Sequence, residues 1–126
     1  MERLNRAREN ARYALNTLEQ ILKEPVGTIV RDASIQRFEY TFETVWKLLK
    51  VYLLEMQGVD AGSPKACFRE AFKVGILTQE QTEQGMKMTD DRNLTSHTYI
   101  EAIAALVYSR LHAHAGLMKV VVEKVV

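Results

Sequence analysis

One cysteine, two prolines, one tryptophan and almost no net charge in 126 residues exclude several classes of protein at the outset. With Cys67 alone there is no internal disulfide and no thiolate cluster of the zinc-finger kind, so its expected role is packing, as a small hydrophobe beside Phe68. Seventeen basic against sixteen acidic residues leave a formal charge of +1, so there is no global field to grip nucleic acid or an anionic membrane, and any RNA contact has to be local. The longest apolar stretches, such as Ala102 to Tyr108, fall far short of the roughly 20 residues of a membrane span. The opening Met-Glu-Arg-Leu-Asn-Arg is too charged for a signal peptide, so a cytoplasmic location without membrane contact is expected. Two-residue alternation is also missing, except for the β-branched tail Val120 to Val126.

What the chain does have is helical periodicity. Leu4, Ala7, Ala11, Leu15, Leu18 and Leu22 recur three and four apart and predict a helix over residues 2–24, stopped by Pro25 and Gly27. A second helix is expected to start near Asp32 or Ser34, both good caps, and to run through Phe38, Phe42, Val45, Leu49 and Met56 to Gly58. Ser63 with Pro64 opens a short helix that Gly75 closes. Thr78 with Gln81 forms a capping box for a helix to about Asn93, weakened slightly by Gly85. Thr98 with Glu101 looks like a second capping box, for a last helix over 99–123 with Ile103, Val107, Leu111, Met118 and Val121 on one stripe. The size suits a single domain, 1–126. The expectation is an all-α fold, an antiparallel up-and-down four-helix bundle with an extra short helix. An alanine-rich first stripe beside bulkier ones leaves apolar surface for a symmetric partner, so a homodimer is expected.

The candidates for chemistry separate by spacing. His112 and His114 are two apart on a helix, about 200° around its axis, so they do not share a metal, and their expected place is solvated surface or an interface edge. No cofactor or metal is expected. Glu39, Glu43 and Lys47 share one helix face, either as carboxylates for acid and base work or as a charged stripe with a Glu43–Lys47 pair. The segment from Asp90 to Tyr99 gathers more. Arg92 falls in the last turn of one helix and His97 just before the next, whose N-terminal N–H groups favour an anion. Arginine offers a planar fork to phosphate, and histidine exchanges protons near neutral pH. Together they suit attack by a ribose 2′-hydroxyl on its neighbouring phosphate, giving a 2′,3′-cyclic phosphate without metal. The competing reading is structural, with Arg92 paired to Asp90, Asp91 or helix carbonyls and His97 bonded to the loop.

Arg92, four residues, His97, one residue and Tyr99 make an R-x4-H-x-Y pattern that resembles the signature of HEPN proteins (higher eukaryotes and prokaryotes nucleotide-binding) paired with minimal nucleotidyltransferases. Ile35 to Glu43 with Trp46-Lys47, Ser63-Pro64 with Arg69 to Phe72, and Asp91 to Tyr99 resemble successive blocks of the same family, and most closely its nucleotidyltransferase substrate-binding subunits. The resemblance implies a helical homodimer that associates with a separate nucleotidyltransferase chain. In related HEPN toxins the arginine and histidine form a ribonuclease site across the dimer, the partner is the antitoxin, and the motif tyrosine accepts nucleotidyl groups. Carried over, Arg92 and His97 are catalytic and Tyr99 is the switch. Arg92, Asn93, Thr98 and Arg37 are the expected contacts for an anion or nucleotide, RNA included. The alternative is a non-catalytic subunit that presents a nucleotide or acceptor to the nucleotidyltransferase. Ile100 departs from the pattern, standing where many relatives carry an acidic residue.

Overall fold

The computed structural model describes residues 1–125, so the final valine of the tail lies outside the described residues. The chain folds into α1 (Glu2–Leu22), α2 (Thr28–Gln57), α3 (Pro64–Lys73), α4 (Gln79–Leu94), a 3-10 turn (Thr95–His97) and α5 (Glu101–Lys124). It is an all-α helical bundle with no strand among the described residues, and the valine-rich tail continues α5 through Lys124.

Where a side chain makes the cap, sequence and structure agree. Ser63 accepts from the Ala66 N–H with Pro64 at the first helical position, and Thr78 and Gln81 exchange both bonds of their capping box, at 3.1 and 3.0 Å. Gly58 adopts φ 67°, which lets the Val59 N–H reach back to the Leu53 carbonyl at 2.9 Å and seal the end of α2.

Two starts differ from the expectation. α2 begins at Thr28, one turn or more before Asp32 and Ser34, because an extended Gly27 serves as the cap by backbone alone. Ser34 is buried inside the helix, its hydroxyl donating to the Val30 carbonyl at 2.6 Å, and Asp32 pairs with Arg31. α5 begins at Glu101, and the expected Thr98–Glu101 capping box does not form. Capping needs an extended backbone at the cap residue. The 3-10 turn instead leaves Thr98 helical, at φ −73° and ψ −3°, so its hydroxyl points back to the Thr95 carbonyl, and Glu101 pairs with Arg31 across the bundle.

The long α2 is central, packed against α1, α3 and α5. Thr41 reaches the Ala14 carbonyl and Arg37 the Thr17 carbonyl, so α1 and α2 run antiparallel. Buried residues of all five α-helices form one continuous core that includes Leu18, Phe38, Phe42, Phe68, Met88, Leu111 and Met118. Each such side chain is worth about 1.5–3 kcal/mol on burial. Gly85 lies directly against the Phe68 ring, which explains a glycine inside α4.

Candidate functional site

The last turn of α4, the 3-10 turn and the start of α5 bring the motif residues to one corner of the bundle. Arg92 is partly buried there. Its Nη1 donates to the Thr95 hydroxyl at 3.0 Å, and that hydroxyl in turn donates to the Arg92 carbonyl at 2.6 Å. From α2, Glu39 Oε2 approaches Nη1 at 3.6 Å and Glu43 Oε1 approaches Nε at 3.7 Å. These distances make ion pairs but not hydrogen bonds, and Nε is buried without a hydrogen-bond partner among the described residues. Neither Asp90 nor Asp91 pairs with Arg92: Asp90 meets Lys65 at 2.7 Å, and Asp91 turns to α5.

The carboxylates of Glu39 and Glu43 therefore serve the arginine, and the pair expected between Glu43 and Lys47 is not among the ion pairs of the described residues. Glu43 spends its other oxygen on the indole N–H of the half-buried Trp46, at 3.0 Å. A carboxylate held this way has little freedom to leave the arginine.

His97 and Tyr99 stand on the solvent side. The His97 Nδ1 lies 3.4 Å from the Tyr99 hydroxyl, with the rings edge to face, and Tyr99 is 80% exposed. An imidazole beside an accessible phenol is positioned to exchange a proton with it or with a bound substrate. Asn93 is exposed, and its carbonyl accepts from the Ser96 hydroxyl at 2.8 Å. No hydrogen bond or ion pair links Arg92 to His97 among the described residues, so the corner holds two sets, Arg92 with its acidic neighbours and His97 with Tyr99. The Ile100 N–H is taken by the His97 carbonyl at 3.0 Å, so fewer backbone donors face the corner than a helix starting at Tyr99 offers. Arg37 points away, toward α1, donating to the Thr17 carbonyl at 2.8 Å.

The structure corrects the placement of His114. The ring is 7% exposed, stacks on Phe38 at 5.4 Å and bonds Asp91 at 2.7 Å through Nε2, while His112 faces solvent. Burial pushes the imidazole pKa below its ordinary value, only partly opposed by the bond to Asp91. Asp91 itself is 2% exposed and also accepts from Arg110 Nη1 at 2.8 Å. The signal was present in the sequence: His114 sits three residues after Leu111 and four before Met118, on the apolar stripe of α5.

The sequence model of the family described as nucleotidyltransferase substrate binding protein like matches residues 6–126. The chain is 30% identical to the Haemophilus influenzae protein named Probable ribonuclease HepT, over 67% of this chain and 62% of that one, so the match spans less than two thirds of the relative's length. Among solved structures, a Thermus thermophilus protein is 44% identical with a TM-score of 0.88, covering 91% of this chain and 98% of that one. A mutant of the toxin–antitoxin MntA-HpeT shares the fold at a TM-score of 0.80 and 14% identity, covering 98% and 97%.

Proposed function

The chain belongs to the nucleotidyltransferase substrate binding protein like family, of HEPN type, and from that premise we propose that it is the toxin-like helical subunit of a two-gene nucleotidyltransferase system, cutting RNA without metal. The observation that carries the reading is the corner itself: an exposed His97–Tyr99 pair at 3.4 Å, three residues beyond the helix turn that fixes Arg92. The subunit acts in the cytoplasm as a homodimer whose two corners face one RNA strand.

In this reading Arg92 stabilises the phosphate as negative charge builds, and His97 handles the proton. The ribose 2′-hydroxyl gives up its proton and its oxygen attacks the adjacent phosphorus. The bond to the 5′-oxygen breaks, that oxygen takes a proton, and a 2′,3′-cyclic phosphate remains. Thr98 and Asn93 border the path of the strand. Tyr99 is the switch: its phenolic oxygen attacks the α-phosphorus of a nucleoside triphosphate held by the partner, pyrophosphate leaves, and the attached nucleotide covers His97. The exposure of Tyr99 suits it to entering another chain's active site.

Expression of the chain without its partner should arrest growth and cleave cellular RNA, and His97→Ala should remove both effects. A harmless, inert wild type rejects the reading. Co-expression with the partner should add nucleotidyl mass to the wild type and none to Tyr99→Phe.

A second reading draws on one feature, the two carboxylates that flank Arg92 and offset its charge. In it the corner presents a nucleotide to the nucleotidyltransferase and cuts nothing. Calorimetry with nucleoside triphosphates, with and without the partner chain, distinguishes it by binding in the absence of cleavage.

A further inference from the structure

Arg92 is loosely held by its own side-chain partners. Thr95 takes one of its N–H groups, two carboxylates stand at 3.6 and 3.7 Å, and Nε has no hydrogen bond among the described residues. Its position therefore depends on the backbone of the last turn of α4. One residue earlier in that turn, Asp91 is held far more tightly, by His114 Nε2 at 2.7 Å and Arg110 Nη1 at 2.8 Å. Those two residues are four apart on α5, so they straddle the carboxylate from one helix face.

A buried ion pair is a poor way to gain stability, since a well-packed apolar trio would join the helices about as well. What charge-assisted hydrogen bonds add is direction, because two short bonds to one carboxylate set both the depth and the rotation of the turn that carries it. The same imidazole stacks on Phe38, the residue before Glu39 on α2. His114 thus ties the turn bearing Arg92 to the helix bearing its acidic neighbours. On its open side the cluster lines a cleft of about 460 Å³ between α4 and α5, bordered by Gln84, Lys87 and Asp90. The lining cations Lys87 and Arg110 are matched by Asp90 and Asp91, so the cleft has no net charge to collect an anionic ligand.

We propose that Asp91 is a positioning residue for the reaction, and that Arg110 and His114 act through it to hold Arg92 where the phosphate arrives. This rests on the ribonuclease reading for its kinetic consequence but not for its structural one. Neither Arg110 nor His114 bonds to Arg92 among the described residues, so their effect is transmitted by the α4 backbone.

The test uses the whole chain carrying Asp91→Asn, Arg110→Met or Arg110→Lys. Arg110 is half exposed and Asp91 keeps its bond to His114, so the Arg110 variants disturb the packing less than Asp91→Asn, and circular dichroism with a thermal melt shows that each variant compared is folded. Two quantities are read: kcat and KM for cleavage of a defined RNA, and the Nε–H cross-peak of Arg92 in a ¹⁵N spectrum, assigned through Arg92→Lys. For Asp91→Asn and Arg110→Met, kcat should fall roughly tenfold or more with KM changed less than about twofold, as expected for a misplaced catalytic group. The Arg92 cross-peak should shift or broaden. Arg110→Lys, which keeps a charged donor, should retain most of the activity. A folded Arg110→Met with lowered melting temperature but wild-type kcat and an unmoved Arg92 signal would overturn the proposal, because a purely structural clamp predicts that pattern. If wild-type protein cuts no RNA, the ribonuclease reading fails separately, and the Arg92 cross-peak alone decides whether Asp91 positions it.

Discussion

Arg92 Nη1 lies 3.6 Å from Glu39 Oε2, so the one permanent cation of the motif segment reaches the bundle's corner already facing an acid from another helix, with Glu43 close behind at 3.7 Å. These pairs are partly exposed, and each is worth up to about 1 kcal/mol. They compete with an incoming phosphate for the same guanidinium. Glu39→Gln with Glu43→Gln should therefore tighten the binding of a short RNA to a His97→Ala background by a few fold, measured by fluorescence anisotropy. Unchanged or weaker binding would mean that the carboxylates orient Arg92 more than they mask it.

The environment of Gly85 sets two effects against each other. Alanine is the better helix former by about 1 kcal/mol. A Cβ here, however, would meet the Phe68 ring at 2.8 Å, and overpacking of a core costs about 1–3 kcal/mol. Phe68 is itself fully buried and has no room to yield, so Gly85→Ala should lose stability in urea unfolding. A gain would show that α3 and α4 separate easily.

His114 gives the fold a pH dependence of definite sign. Its pKa is lowered on folding, chiefly by burial, so between that lowered value and the ordinary 6.5 the unfolded chain binds more protons than the folded one. Stability then rises with pH through this window, is complete above about 6.5, and is lost progressively as pH falls below it. In thermal melts from pH 7.5 down to 5, His114→Gln should show a shallower decline than wild type. Parallel curves would place the titration elsewhere.

Cys67 has its thiol pushed up to about 11, mainly by burial and slightly further by Asp60, against the opposing influence of Lys50. Only the thiolate reacts with a disulfide reagent. At pH 8 the native protein should react at least tenfold more slowly than the urea-unfolded chain, followed as thiol release. Equal rates would contradict its placement in the core.

How much of this was legible in the sequence depended on where each signal resides. Helices closed by a side chain, at Ser63 and at Thr78 with Gln81, are readable because the capping bond is local and specific to residue type. The start of α2 is not, because Gly27 caps by backbone alone while Asp32 and Ser34 carry the stronger but unused signal. Thr98 failed as a cap for a related reason: the 3-10 turn before it sets its backbone angles, and no propensity reveals that turn. At the corner, the sequence pointed to Arg92, His97 and Tyr99, and the structure puts His97 beside Tyr99. It did not reveal that Glu39 and Glu43 face Arg92, or that Asp91 meets His114, since such contacts join distant segments. For His114 the signal was there but outweighed: its spacing from Leu111 and Met118 fits the buried stripe, yet a histidine is expected at the surface unless a partner such as Asp91, distant in sequence, satisfies it.

Metal-independent cleavage of RNA at the corner of Arg92 and His97 is tested most directly by incubating the purified, partner-free protein with a defined RNA in excess EDTA. Mass analysis of the fragment ends then reads the chemistry. The wild type should leave fragments ending in a 2′,3′-cyclic phosphate, and His97→Ala and Arg92→Ala should leave the RNA intact. Intact RNA with the wild type, or fragments that persist in His97→Ala, would contradict cleavage at this corner.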